Sequence, residues 1–280
     1  MLPVLRNQIG LLLSPSKVSI LRRQKGFGRE TDALLVRQVI DIEGGGYSVL
    51  NVARSLLARY EGDKAQVSVV LADSYVNFGI LPWSADIKTS AEREQYARVV
   101  LRNVFGDLVD DWTLCLNEAI PLQPCVIGAI ETDFLSEIRR MVEEMGHALK
   151  TVNPRLVVAY NGRRKQIPCD TAWFASFADG SLAALHLSDG VCDGVRSMRV
   201  TNNVEAELRR LRMLGKLAKN HPGLGNIYID SAVSAHKSRV DEEGLVWIKE
   251  PPLASNFAGL LLATSATAAA TGEDEICLAS

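Results

Sequence analysis

Two Asp-Gly dipeptides, Asp179-Gly180 and Asp189-Gly190, separate three runs rich in apolar residues at 171–177, 182–187 and 191–200. Asp and Gly both tolerate positive φ, so such a pair closes a two-residue hairpin whose twist matches that of its strands. A three-stranded meander is therefore expected here, and it fixes the reading of what surrounds it. Downstream lies a helix with the stripe Val204, Leu208, Leu211 and Leu214, stopped by Asn220-His221-Pro222. Short strands at 226–229 and 245–248 and a closing helix at 256–270 follow.

The first half reads in a similar order. Strands at 8–13 and 17–22 flank Ser14-Pro15-Ser16, a third apolar run covers 33–40, and a helix runs through Val49, Val52, Ala53, Leu56, Leu57 and Tyr60. A second hairpin is expected from 67–71 and 75–81 around Asp73-Ser74, ended by Pro82. Ser90 is the expected cap of a helix carrying Ala97, Leu101 and Phe105. Strands at 112–116 and 125–130 precede a helix with Thr132 as its cap and Phe134, Ile138, Met141 and Val142 as its stripe. A helical stretch at 154–160 closes the half. A meander, a helix and alternating β and α elements, given twice, describe a duplicated α/β protein. The expected division is 1–155 and 156–280, with an inserted hairpin subdomain near 65–110.

Composition narrows the function. Hydrophobic residues make up 47% and charged residues 23% of the 280, enough for a sizeable core. Lys and Arg total 31 against 33 acidic residues, and only 6% are aromatic. Neither an electrostatic footprint nor a stacking platform for nucleic acid is present. Cys115, Cys125, Cys169, Cys192 and Cys277 have no C-x-x-C spacing, and His147, His186, His221 and His236 are scattered. Buried thiols in a reducing cytosol are expected, with no metal centre. The amino-terminal region lacks a signal-peptide pattern, and the apolar stretch 257–270 reads as a buried helix, so a cytoplasmic location is expected.

The duplicated order resembles the actin-like ATPase fold, an RNase H-like pair of lobes with mixed sheets. A narrower likeness lies in the run 67–83, Val-Ser-Val-Val-Leu-Ala-Asp-Ser-Tyr-Val-Asn-Phe-Gly-Ile-Leu-Pro-Trp, and continues through Phe105-Gly106, Asp111-Trp112 and the helix starting at Thr132. These stretches resemble the actin-like proteins of type IV pilus and type II secretion assembly, a group that includes PilM, the cytoplasmic domain of GspL and MshI. That resemblance implies a cytoplasmic scaffold, PilM-like in layout. It would bind the cytoplasmic tail of an inner-membrane pilus or secretion protein, with an assembly ATPase as a further contact, and would reach the membrane only peripherally.

The same resemblance implies where ATP would be held. The first phosphate hairpin should read Ile-Gly-hydrophobic-Asp-hydrophobic-Gly-Ser, but the chain has Ile9-Gly10-Leu11-Leu12-Leu13-Ser14-Pro15-Ser16. Leu12 stands at the carboxylate position, Ser14 at the glycine, and Pro15 removes a backbone donor. The second hairpin should be slim, yet Trp173 and Phe174 precede a tight Asp179-Gly180 turn. In place of a Gly-Gly adenosine turn stands Asp230-Ser231-Ala232, and Gly44-Gly45-Gly46 lacks the Lys-Ser/Thr of a P-loop. The cofactor positions Leu12, Ser14, Ser16, Asp179 and Gly180 are thus expected to be degenerate. The chain reads as a pseudo-ATPase with no cofactor, metal or catalytic residue. The alternative is a divergent Mg-ATP-dependent ATPase or kinase using Asp41, Asp179 or Asp230. Two further features have plain readings. His186 is expected to be a hydrogen-bonded structural residue, and the basic run Arg209, Arg210, Arg212, Lys216 and Lys219 a solvent face or a surface for an acidic partner or lipid headgroups.

Overall fold

The structure is a computed structural model describing residues 8–23, 38–41, 48–62, 64–117, 120–168, 171–200, 203–219, 225–231 and 244–248. Strands β1 (Gln8–Leu13), β2 (Lys17–Arg23) and β3 (Gln38–Asp41) form an antiparallel meander. Helix α1 (Ser48–Leu57) then crosses to β4 (Gln66–Leu71), which lies parallel to β1. A helical crossover is what a parallel neighbour requires. Past β4 the chain leaves this sheet to make β5 (Asn77–Leu81), α2 (Ser90–Phe105), β6 (Trp112–Leu116) and β7 (Cys125–Glu131). It returns through α3 (Thr132–Glu144) to β8 (Ala148–Pro154) and α4 (Arg155–Arg163). The second meander is β9 (Ala172–Ala178), β10 (Ser181–Ser188) and β11 (Val191–Arg199). Helix α5 (Val204–Lys219), β12 (Ile227–Ser231) and β13 (Leu245–Trp247) complete the described chain.

The two five-stranded sheets have one topology. Their orders are β3-β2-β1-β4-β8 and β11-β10-β9-β12-β13. In each, the first three strands in sequence are antiparallel and the last two run parallel to the first. The Asp-Gly turns form as expected, with φ of 50° and 71° at Asp179 and Gly180 and 52° and 76° at Asp189 and Gly190.

Three expectations fail. The hairpin of 67–71 with 75–81 does not form, because β4 and β5 belong to different sheets. Five of the six β4 residues are buried, as suits a strand covered on both faces, and Asp73–Tyr75 makes a 3-10 turn rather than a hairpin loop. What is inserted is a three-stranded sheet, β5-β7-β6, backed by α2. Gly79 permits that backing, since a Cβ there would fall 2.7 Å from Leu101 Cδ2. The helix cap also shifts by one residue. Thr89, not Ser90, accepts from the Glu92 N–H while the Glu92 carboxylate accepts from the Thr89 N–H, a capping box. Likewise Thr132 is the first helical residue of α3, behind Glu131. The closing helix expected at 256–270 lies outside the described residues.

A single apolar cluster joins the sheets. It contains Ile9, Leu11 and Leu13 of β1, Val67 and Val69 of β4, Leu156 and Val157 of α4, and Phe174, Leu185 and Tyr228 of the second sheet. Helix α4 is the wedge, with the Tyr160 ring edge-on to Phe174 at 5.6 Å. This places the carboxyl ends of β4 and β12 and the two hairpin tips around one junction.

Candidate functional site

The β1–β2 tip is closed by hydrogen bonds within the turn. Ser14 N–H donates to the Lys17 carbonyl at 2.9 Å, and Lys17 N–H donates back to the Ser14 carbonyl and to Ser14 Oγ. Pro15 has no N–H to offer. Leu12, half-buried, sits in register with Ser19 and Val70, so an aliphatic side chain occupies that place on the strand. Across the junction, Asp179 and Gly180 close the β9–β10 tip. The tips touch, with Ser16 Oγ donating to Asp179 Oδ1 at 3.1 Å. Beside them the Tyr75 ring stacks on Phe134 at 4.9 Å. Burial and, after it, the Asp179 charge push the Tyr75 hydroxyl above the usual phenol range.

Below the tips lies a buried ionic cluster. Asp230, on β12, meets Arg163 at 3.3 Å and Arg155 at 3.5 Å, and all three side chains are largely withdrawn from water. Arg155 Nε donates to Ser176 Oγ at 3.3 Å, and Ser176 is the register partner of Asp230 on β9. Asp73, two residues beyond β4, accepts the Leu156 N–H at 2.7 Å near the start of α4. A carboxylate there satisfies a donor that the helix leaves without an intrahelical partner. Burial nevertheless pushes the Asp73 carboxyl up to about 6, opposed by the Leu156 N–H, Arg155 and Ser176 and reinforced by the Asp230 charge. Two carboxylates and two guanidiniums thus balance one another away from water. Asp230 is held by two arginines, and Asp41 ends β3 in register with Lys17. Among the described residues no three His, Cys, Asp or Glu side chains converge as a metal site.

No family model matches the chain, and no curated protein matches it in sequence. Solved structures do. The cytoplasmic domain of EpsL, an inner-membrane component of the type II secretion system of Vibrio cholerae, superposes with a TM-score of 0.59 at 14% identity, covering 93% of this chain and 95% of that one. A Bacteroides thetaiotaomicron protein with an actin-like ATPase fold gives 0.54 at 10% identity, covering 82% and 84%. The fold is actin-like. The PilM–PilN type IV pilus biogenesis complex gives 0.52 at 12% identity, covering 81% and 82%. Structures of the kind that the run 67–83 resembles are therefore among the structural neighbours.

Within this actin-like frame the structure brings Ser14, Ser16, Asp179 and Gly180 to the junction, with Asp230 below them. Sequence reasoning missed Asp73, Arg155, Arg163 and Ser176. The one local sign was Asp73 itself, an acid directly behind a fully apolar run and read as turn chemistry. Gly44-Gly45-Gly46 lies outside the described residues. His186 finds a partner, with Nδ1 2.5 Å from Asp193 Oδ1, and its ring is edge-on to Trp173. On α5, Arg209 pairs with Glu205 and Arg210 with Glu207, so these charges are offset along their own helix. The side chains of Lys216 and Lys219 lie outside the described set.

A second concavity lies on the inserted sheet. A shallow groove is lined by Leu81, Trp83, Ile87, Ile120, Arg93 and Cys125, among others. Its rim is apolar and wet, with Trp83 41% and Ile120 50% exposed. Arg93 is anchored below, donating to the Asn117 carbonyl at 2.8 Å and to Cys125 Sγ at 3.3 Å.

Proposed function

We propose that this chain is a non-catalytic actin-like scaffold of a type IV pilus or type II secretion-like assembly, a pseudo-ATPase that binds no nucleotide. The observation that carries the reading is the hydrogen bond between the hairpin tips, Ser16 to Asp179. Phosphate recognition needs unspent backbone N–H groups and room for oxygens between the tips. Here the Ser14 and Lys17 N–H groups are engaged, Pro15 lacks one, and Leu12 offers no carboxylate to order magnesium waters.

The assembly role draws support from two structural neighbours, a cytoplasmic domain of an inner-membrane secretion component and a pilus biogenesis complex. The partner in this reading is the cytoplasmic part of an inner-membrane protein, and the mixed polar and apolar groove at Trp83 and Ile120 is where its tail docks. Exposed apolar surface around a cavity is the usual mark of such a contact. Among the described residues no helix is long and apolar enough to cross a membrane. The proposed location is the cytoplasm, with the inner membrane reached through the partner.

The test is a titration of the purified chain with the cytoplasmic tails of inner-membrane proteins encoded beside it, run with an ATP hydrolysis assay. Saturable binding of one tail and no turnover are expected. Turnover that vanishes on Asp179→Ala or Asp230→Ala, with no tail bound, would make the chain a divergent ATPase instead.

A further inference from the structure

The cluster beneath the hairpin tips is built from both sheets. Asp73 follows β4, the fourth strand of the first sheet, and Asp230 lies near the end of β12, the fourth strand of the second. Each half thus supplies one carboxylate near the carboxyl end of its fourth strand. Ser176 of the second sheet stands close enough to Asp73 of the first to steady its carboxylate. Arg155 and Arg163, carried by the helix that directly follows β8, reach across to Asp230. Asp73, Arg163, Ser176 and Asp230 are all buried.

The apolar part of the same junction is Leu156, Val157 and Tyr160 against Phe174. Apolar contact attracts without direction, so it holds the sheets together but leaves their angle soft. Buried guanidinium–carboxylate pairs are directional, and a shift that breaks one strands a charge away from water. We infer that the Asp73–Ser176–Arg155–Asp230–Arg163 network is a built-in latch that fixes the angle between the two lobes and couples their unfolding, with the Ser16–Asp179 bond as its outer clasp. The cleft is thereby held closed by the chain's own groups, without a ligand. This inference does not depend on which partner the groove takes.

Asp230→Asn is the direct test. It keeps the side chain's shape and removes the carboxylate charge that both arginines meet. Asp193→Asn is the control, because it breaks a buried pair with His186 that lies wholly within the second sheet. The full chain is studied by small-angle X-ray scattering and calorimetry. The latch predicts a larger radius of gyration for Asp230→Asn and the splitting of one unfolding transition into two. Asp193→Asn should give one transition, at a lower temperature, with unchanged scattering. If Asp230→Asn does not fold, Arg155→Gln serves, since Arg163 still holds Asp230, and the same changes are expected at smaller size. Scattering like the wild type and a single transition in the variant that folds would overturn the latch.

Discussion

The junction between the lobes and the groove on the inserted sheet are both concave, yet their chemistry is opposite. At the junction Ser16, Asp73, Asp179 and Asp230 find partners within the chain, and two carboxylates meet two guanidiniums out of water. At the groove the anchored Arg93 lies under a rim of exposed Trp83 and Ile120. A surface that has satisfied itself gains little from a ligand, whereas one that leaves apolar area wet gains from being covered. On the proposed reading, the difference favours a partner at the insertion over a ligand in the cleft.

The largest test of that contrast removes a charge at the junction. Asp230→Asn should cost about 3–5 kcal/mol, the scale for stranding a buried ion-pair partner, read from urea unfolding and summed over the transitions it shows. A loss below about 1 kcal/mol would mean that the junction is not self-satisfied. Next comes the pH dependence of Asp73. Its folded pKa of about 6 lies above the ordinary 3.8, so the folded chain holds this proton more tightly than the unfolded chain does. Its contribution is therefore fully present below about pH 4 and is lost as pH rises through about 6. The shift corresponds to about 3 kcal/mol between those limits. Asp73→Asn should remove that dependence, so its stability relative to wild type should rise between pH 4 and 6.5 and then level off. Arg155 and Asp230 are the charged groups facing Asp73.

A smaller effect sharpens the other side of the comparison. Thr89→Ala deletes half of the capping box that starts α2, the helix behind the groove sheet. A loss of about 1 kcal/mol is expected by thermal unfolding. Weaker tail binding in this variant would follow if the groove needs α2 in place. The smallest stability change belongs to Ile120→Ser, on the exposed rim. Stability should move by no more than about 0.5 kcal/mol while affinity for the bound tail falls at least about tenfold. Unchanged affinity would place the docking surface elsewhere.

Much of the fold was legible because its punctuation is chemical. Asp179-Gly180 and Asp189-Gly190 can take positive φ, and both did. The helical stripes of α1, α3 and α5 follow from spacing alone. Strand β8 was not seen, because Lys150, Thr151 and Asn153 break its apolar pattern, and two of these are buried for reasons that only the sheet supplies. The false hairpin at 67–81 arose because Asp73-Ser74 between apolar runs looks like a tight turn. Pairing in one sheet or two is a long-range matter. The same holds for the site. Leu12, Ser14, Ser16, Asp179 and Gly180 could be placed from the order of strands, but no local pattern links Asp73, Arg155, Arg163, Ser176 and Asp230. Their meeting depends on the duplication bringing two strand ends to one helix.

The central claim, a cleft filled by its own side chains, is tested most directly by thermal unfolding with and without several millimolar magnesium-ATP. A ligand at about 100 times its dissociation constant stabilises a fold by about 2.7 kcal/mol. For a chain of this size that is a rise of several degrees, about 2–4 °C per kcal/mol. The account predicts no shift in the wild type. A clear rise that disappears in Asp179→Ala would contradict it and show that the hairpin tips part to admit a nucleotide.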